Sequence, residues 1–177
     1  MASKRKNNRA GGSELGALGG PAGRQRVLIV DGHSIIFAWP DLQKVHSRPD
    51  SRVSAREMLV RRLLNYQDVN QTKVVVVFDG QGPVATEDTA AGPGLQIFYA
   101  ARGQTADTII ERLVATYAET YDITVATCDN MERQTVITLG ASTIDAQRLA
   151  ILLEETNRDL ADQLKQLRKR NNTNPRR

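Results

Sequence analysis

Three apolar runs in this chain each lead to an aspartate, and that repetition constrains the fold more than any other feature. VLIVDG reaches Asp31, VVVVFDG reaches Asp79 and TVATCD reaches Asp129. The runs are too short for helices and read as strands of a parallel sheet buried on both faces. The carboxyl ends of parallel strands share one rim, and ligands of open sheets sit in the crevice there. Carboxylates delivered repeatedly to that rim repel one another unless a cation lies between them. An Asp-Gly pair also suits an ordinary turn, which accounts for Asp31 or Asp79 taken singly. It does not account for three equivalent placements.

Strand and helix patterns alternate along the chain. Val27–Asp31 is the first strand, followed by a short helix from about Ser34 that Pro40 halts or kinks. Helical spacing resumes at Ser54, with Leu59, Val60, Leu63 and Leu64 on one side and Arg56, Arg61 and Arg62 mostly on the other. Val74–Phe78 and Leu95–Tyr99 are strands, and residues 80–94 between them form a mobile loop rich in small residues. Thr105 is an N-cap for a helix from Ala106 to about Glu119. Ile123–Thr127 is the next strand and Thr135–Leu139 a shorter one. A long helix is expected from Ser142, with leucines at three- and four-residue steps. This alternation predicts an α/β fold with a largely parallel sheet and helices on both faces.

At 177 residues the chain supports one domain with appendages. Residues 1–23 lack apolar periodicity and read as a disordered basic tail without a signal-peptide pattern. That leaves 24–164 as the domain and 165–177 as a basic C-terminal tail. Residues 1–26 carry a charge of +5 and residues 165–177 a charge of +6, so the net +4 leaves the intervening body at −7. An acidic body between basic termini suits a handler of polyanions, although short basic termini also serve solubility alone. No apolar run approaches a membrane span. Cys128 is the sole cysteine, which excludes an internal disulfide and points to a reducing, cytoplasmic compartment.

The fourth acidic element lies in the helix after Thr105. Asp107 sits at the edge of its apolar arc, and Glu111 is one turn on along the same side. Asp107 equally suits the positive end of a helix, and Glu111 equally suits a solvated face. Gathered at one rim, Asp31, Asp79, Asp107, Asp129 and Glu111 fit Mg²⁺ or Mn²⁺, which prefer oxygen ligands. A metal so held lowers the pKa of a water and stabilises the leaving oxygen of a phosphodiester. His33 and His46 lack zinc-site spacing, Cys128 lacks metal-binding companions, and there is neither a nucleophile elbow nor a Walker loop.

The runs LIVDGHSIIFAWPDL, LLNYQ, VVVVFDG, IFYAARGQTADTIIERLV and VATCDNMERQTVITLGA, followed by a final long helix, resemble the YacP-type NYN domain family of the PIN-like nuclease superfamily. The resemblance covers roughly residues 26–155. It implies a PIN-like three-layer α/β/α sandwich and a metal-dependent endoribonuclease that acts on RNA, with a link to mRNA cleavage at the ribosome. It assigns the family's acidic positions to Asp31, Asp79, Asp107 and Asp129; Glu111 comes from helical geometry alone. Ser34 and Arg102 are candidate phosphate contacts, and Arg102 also reads as a solvated loop charge.

Two departures bear on activity. His33-Ser34 stands where the family reads Tyr-Asn, and Cys128 stands where it usually has Ser. The first exchanges an amide for a shorter hydroxyl, and it motivates a second reading: a catalytically weak RNA- or ribosome-binding module with the same fold. The 80–94 segment also lacks the basic and aromatic residues expected for stacking single-stranded RNA.

Overall fold

The computed structural model describes residues 23–80, 95–101 and 103–172. Among these, strands β1 (Arg26–Asp31), β2 (Lys73–Phe78), β3 (Leu95–Tyr99), β4 (Asp122–Ala126) and β5 (Ser142–Ile144) form one sheet. Their order is β3-β2-β1-β4-β5, and every pairing is parallel. The chain runs outward from β1 to β2 and β3, then crosses back to place β4 on the other side of β1. The strand order reverses there, so a crevice opens between the carboxyl ends of β1 and β4.

Alternate side chains of the strands feed two cores, as the period of a strand requires. Leu28, Val30, Val74, Val76 and Phe78 pack on one face beneath α1 (Gly32–Ala38), α2 (Pro40–His46), α3 (Arg52–Asn70) and α6 (Ala146–Asn172). Ile29, Val75, Val77, Ile123 and Val125 pack on the other beneath α4 (Ala106–Tyr117) and α5 (Asn130–Thr138). The result is an α/β/α sandwich with a long C-terminal helix.

Pro40 acts as the sequence suggests. Trp39 before it is held extended, ending α1, and Pro40 itself opens α2. The Trp39 indole N–H donates to the Ala146 carbonyl at 3.0 Å, pinning this corner to the start of α6. Gly32 lies so close to Phe78 that a Cβ there would overlap the ring. Both residues are buried in the fold. Gly32→Ala is therefore expected to lower stability by about 1–3 kcal/mol, readable as a drop in the denaturant midpoint with unchanged slope.

Two expectations need correction. Residues 135–139 are not a strand: they belong to α5 and its C-cap. Their β-branched residues favour a strand locally, but Asp129 caps the helix start and Val136 is buried beneath it. Gly140, at φ 98°, then closes the helix, with its N–H donating to Ile137 and that of Ala141 to Val136. The final helix does not start at Ser142. Ser142–Ile144 pairs with Thr124–Ala126 as β5, and Asp145 caps the next helix through the Arg148 N–H at 2.7 Å.

The helix α6 continues through residues 165–172, with Leu164 and Leu167 exposed. The expected tail at residues 1–23 and the expected loop at 80–94 lie almost wholly outside the described residues, as does the end of the chain from 173. No helix among the described residues is long and apolar enough to cross a membrane.

Candidate metal centre

Asp31 ends β1 at the sheet's crevice and is 6% exposed. One carboxylate oxygen accepts the Ser34 N–H at 3.1 Å, so it also caps α1. Burial, reinforced by the nearby charges of Asp107 and Asp79, pushes its pKa up to about 6.

Across the crevice, Asp129 caps α5 by accepting the N–H groups of Met131 (2.7 Å) and Glu132 (3.2 Å). The spacing Asp129-Asn130-Met131-Glu132 is that of a capping box, in which the glutamate ordinarily turns back to the cap's own N–H. Here that N–H donates to the Thr127 hydroxyl at 3.1 Å instead. Glu132 is thereby released from capping and turns into the crevice, where it is 2% exposed. Neither of its carboxylate oxygens accepts a hydrogen bond of good geometry, the nearby Thr127 hydroxyl being turned to Ser34 at 3.5 Å. Burial pushes its pKa up to about 7, against the favourable influence of the Thr127 hydroxyl and with the repulsion of Asp31, Asp107 and Asp129.

The third wall is the first turn of α4. The Ala106 N–H donates to Asp79 at 2.6 Å, which ties that turn to the end of β2. Asp107, the next residue, is brought to the other two acids, and its pKa is raised by burial and then by Asp129 and Asp79. Asp31, Asp107 and Glu132 each offer an oxygen, and all three oxygens lie within 4.8 Å of one another.

This arrangement sorts the residues expected from sequence. Asp31 and Asp107 converge. Asp79 and Asp129 stand beside them, close enough to raise their neighbours' pKa values, with an oxygen of each engaged at a helix start. Glu111 is not a member of the converging set; one helical turn carries it about 5 Å along α4, away from the rim. Arg102 lies outside the described residues. Ser34 accepts the Cys128 N–H at 2.7 Å, clamping α1 to the loop after β4 across the crevice.

Glu132 is the residue that sequence reasoning missed. An aspartate at a strand end with glutamate three residues on is the signal that would have found it, but a strand assigned at 135–139 left no helix for it to open.

His33 supports the network from behind. Its Nδ1 accepts the Asp79 N–H at 3.1 Å, so the imidazole carries its proton on Nε2. Burial and the Arg56 guanidinium lower its pKa, with Asp79 opposing and His46 adding to the shift. An Nδ1 occupied in this way cannot serve as a general base toward a ligand in the crevice.

The model of the YacP-like NYN domain matches residues 28–177. The YacP protein of Bacillus subtilis (strain 168) is 28% identical over 142 residues, covering 80% of this chain and 82% of that protein. The crystal structure of Rae1 (YacP) from Bacillus subtilis superposes with a TM-score of 0.70 at 27% identity, covering 84% of this chain and 85% of that one. A mutant form of the same protein gives 0.67 at 27% identity, covering 80% and 82%.

Proposed function

The chain belongs to the YacP-like NYN domain family, and on that premise we propose that it is a metal-dependent endoribonuclease hydrolysing RNA phosphodiester bonds. The observation that carries this reading is the convergence of Asp31, Asp107 and Glu132 at the sheet's crevice, with both Glu132 oxygens buried and accepting no hydrogen bond of good geometry. Leaving a buried ionised carboxylate without partners is costly, and above its raised pKa, where a proton no longer neutralises it, a cation offsets that cost. A donor set made only of carboxylates fits Mg²⁺ or Mn²⁺.

Asp31, Asp107 and Glu132 would hold such an ion, with Asp79 and Asp129 adding negative charge around it. When bound, the ion would supply acidification of a water and stabilisation of charge on the phosphate and leaving oxygen. The chain's own contribution is placement. Asp79 fixes the helix start that carries Asp107, Asp129 fixes the one that carries Glu132, and Ser34 holds the two sides of the crevice in register. The excess of basic residues at both ends suits RNA as the polyanion, in a salt-dependent manner. Ser34 and Arg102 remain the candidate phosphate contacts, and mRNA on the ribosome is the setting the family resemblance suggests.

Purified protein is expected to cut single-stranded or ribosome-bound RNA with Mn²⁺ or Mg²⁺, to stop with EDTA, and to resume when the ion is restored. Cleavage that persists in excess EDTA would sink the proposal. RNA bound but left intact in Mn²⁺ would favour the second reading, a binding module. The observation behind that reading is the Ser34 hydroxyl, whose short bond to Cys128 occupies the position of the family's asparagine.

A further inference from the structure

We propose that Phe37, flanked by His33 and His46, forms a stacking subsite for one base of single-stranded RNA beside the carboxylate crevice. The inference deepens the nuclease reading and rests on it.

Phe37 is 51% exposed although the two large apolar residues before it on the same helix, Ile35 and Ile36, are fully buried. It does not stand alone. The His33 ring stacks on it at 6.2 Å and 28°, and the His46 ring lies nearly perpendicular to it at 5.0 Å and 77°. His33 and His46 also meet edge to face at 5.8 Å. Three rings from α1 and α2 thus form one cluster in which Phe37 is the exposed member. Isolated exposed apolar side chains are ordinary; an exposed aromatic fixed by two half-buried imidazoles is a prepared surface.

The cluster's position and charge select the occupant. His33 Nδ1 accepts the Asp79 N–H, so the cluster is tied through His33 to the end of β2 beside the acidic crevice, with Phe37 one helical turn further along α1. On the other side an open groove of ≈ 730 Å³ begins at His46 and is lined by Arg48 and Arg52, with Asp50 as its acid. Arg56 lies over the rings of Phe78 and Tyr99 at 5.3 and 5.5 Å and contributes a further positive charge toward both histidines. A flat apolar face bordered by arginines complements a base attached to phosphates, and aromatic–base stacking tolerates any sequence. The aromatic contacts that the 80–94 segment cannot supply come from α1 and α2.

The test uses the full chain in EDTA, so that binding is read without cleavage. The probe is a fluorescein-labelled eight-nucleotide unstructured RNA, followed by anisotropy. Phe37→Ala is expected to weaken binding about 5- to 100-fold, Phe37→Leu to fall short of wild type, and Phe37→Trp to match or exceed it. Melting temperatures should stay close to wild type, because the side chain is half exposed. Mn²⁺-dependent cleavage of the same RNA by wild type is measured separately. If Phe37→Ala binds as tightly as wild type while wild type cleaves, the subsite is overturned and the nuclease reading stands. If Phe37→Ala melts much lower with unchanged RNA affinity, the ring packs against the chain itself, and the subsite is again overturned. Wild type that neither binds nor cleaves RNA overturns both.

Discussion

Glu132→Gln is expected to make the metal-free protein more stable at pH 7.5 while lowering Mn²⁺-dependent RNA cleavage by about a thousandfold or more. The two effects have one cause. Glu132 is 2% exposed, neither oxygen accepts a hydrogen bond of good geometry, and its pKa is pushed up to about 7. At pH 7.5 the folded protein must hold it largely ionised beside Asp31, Asp107 and Asp129. Glutamine keeps the shape, carries no charge, and offers an amide that can donate to the neighbouring carboxylates. After allowance for burying that amide, the gain is about 2 kcal/mol, or about 4–8 °C in melting temperature for a domain of this size. The same substitution replaces one of three anionic ligands able to grip a cation with a neutral amide, whose oxygen binds a divalent ion far more weakly. Stability gained where function is lost marks a site held under electrostatic strain. Calorimetry with EDTA and cleavage with Mn²⁺ read the two halves. A Glu132→Gln protein that melts lower than wild type and cleaves equally well would show that the residue is only a buried helix side chain.

The sheet and its acidic rim were legible because the signals are strong and local. Val74–Phe78 and Val27–Asp31 are apolar runs that nothing but a central strand accommodates, and parallel pairing follows from the helices between them. Thr105 as a cap, Pro40 as a break and the acidic first turn with Asp107 were equally local. The residues 130–145 were not legible in the same way. Thr135–Leu139 has strand-like composition, and its helical state depends on a cap at one end and a left-handed glycine at the other. Ser142–Ile144 is a three-residue strand at the edge of the sheet, placed by its pairing with β4 and by the burial of Ile144. Misplacing those elements hid Glu132, whose role depends on Thr127 taking over the cap's N–H, a tertiary choice that spacing does not record. Glu111 shows the reverse failure. Its side of the helix is a matter of periodicity, but its distance from the rim is set by where α4 begins.

The second large effect is a linkage between protons, metal and stability. Asp31 and Glu132 hold a proton more tightly in the folded protein, at about 6 and about 7, than the ordinary values of 3.8 and 4.5 in an unfolded chain. Between those values the folded state binds more protons, so stability must fall as pH rises. Below about pH 3 both states are protonated and neither group matters; above about pH 8 both are ionised and the loss is complete. The loss is on the order of 3 kcal/mol for either group. Metal-free protein is therefore expected to melt several degrees lower at pH 7.5 than at pH 5, against the trend set by the Asp41–Arg62 pair, whose carboxyl pKa is lowered. A divalent cation competes with those protons and needs the ionised carboxylates. Mn²⁺ should raise the melting temperature strongly at pH 7.5 and weakly at pH 5, and Glu132→Gln should blunt both the pH slope and the Mn²⁺ shift. Differential scanning calorimetry at pH 5 and 7.5, with EDTA and with millimolar Mn²⁺, makes the comparison. A Mn²⁺ shift of equal size at both pH values, or none at either, would place the ion elsewhere or nowhere on this protein. The three carboxylates would then be a cluster without a cation to hold.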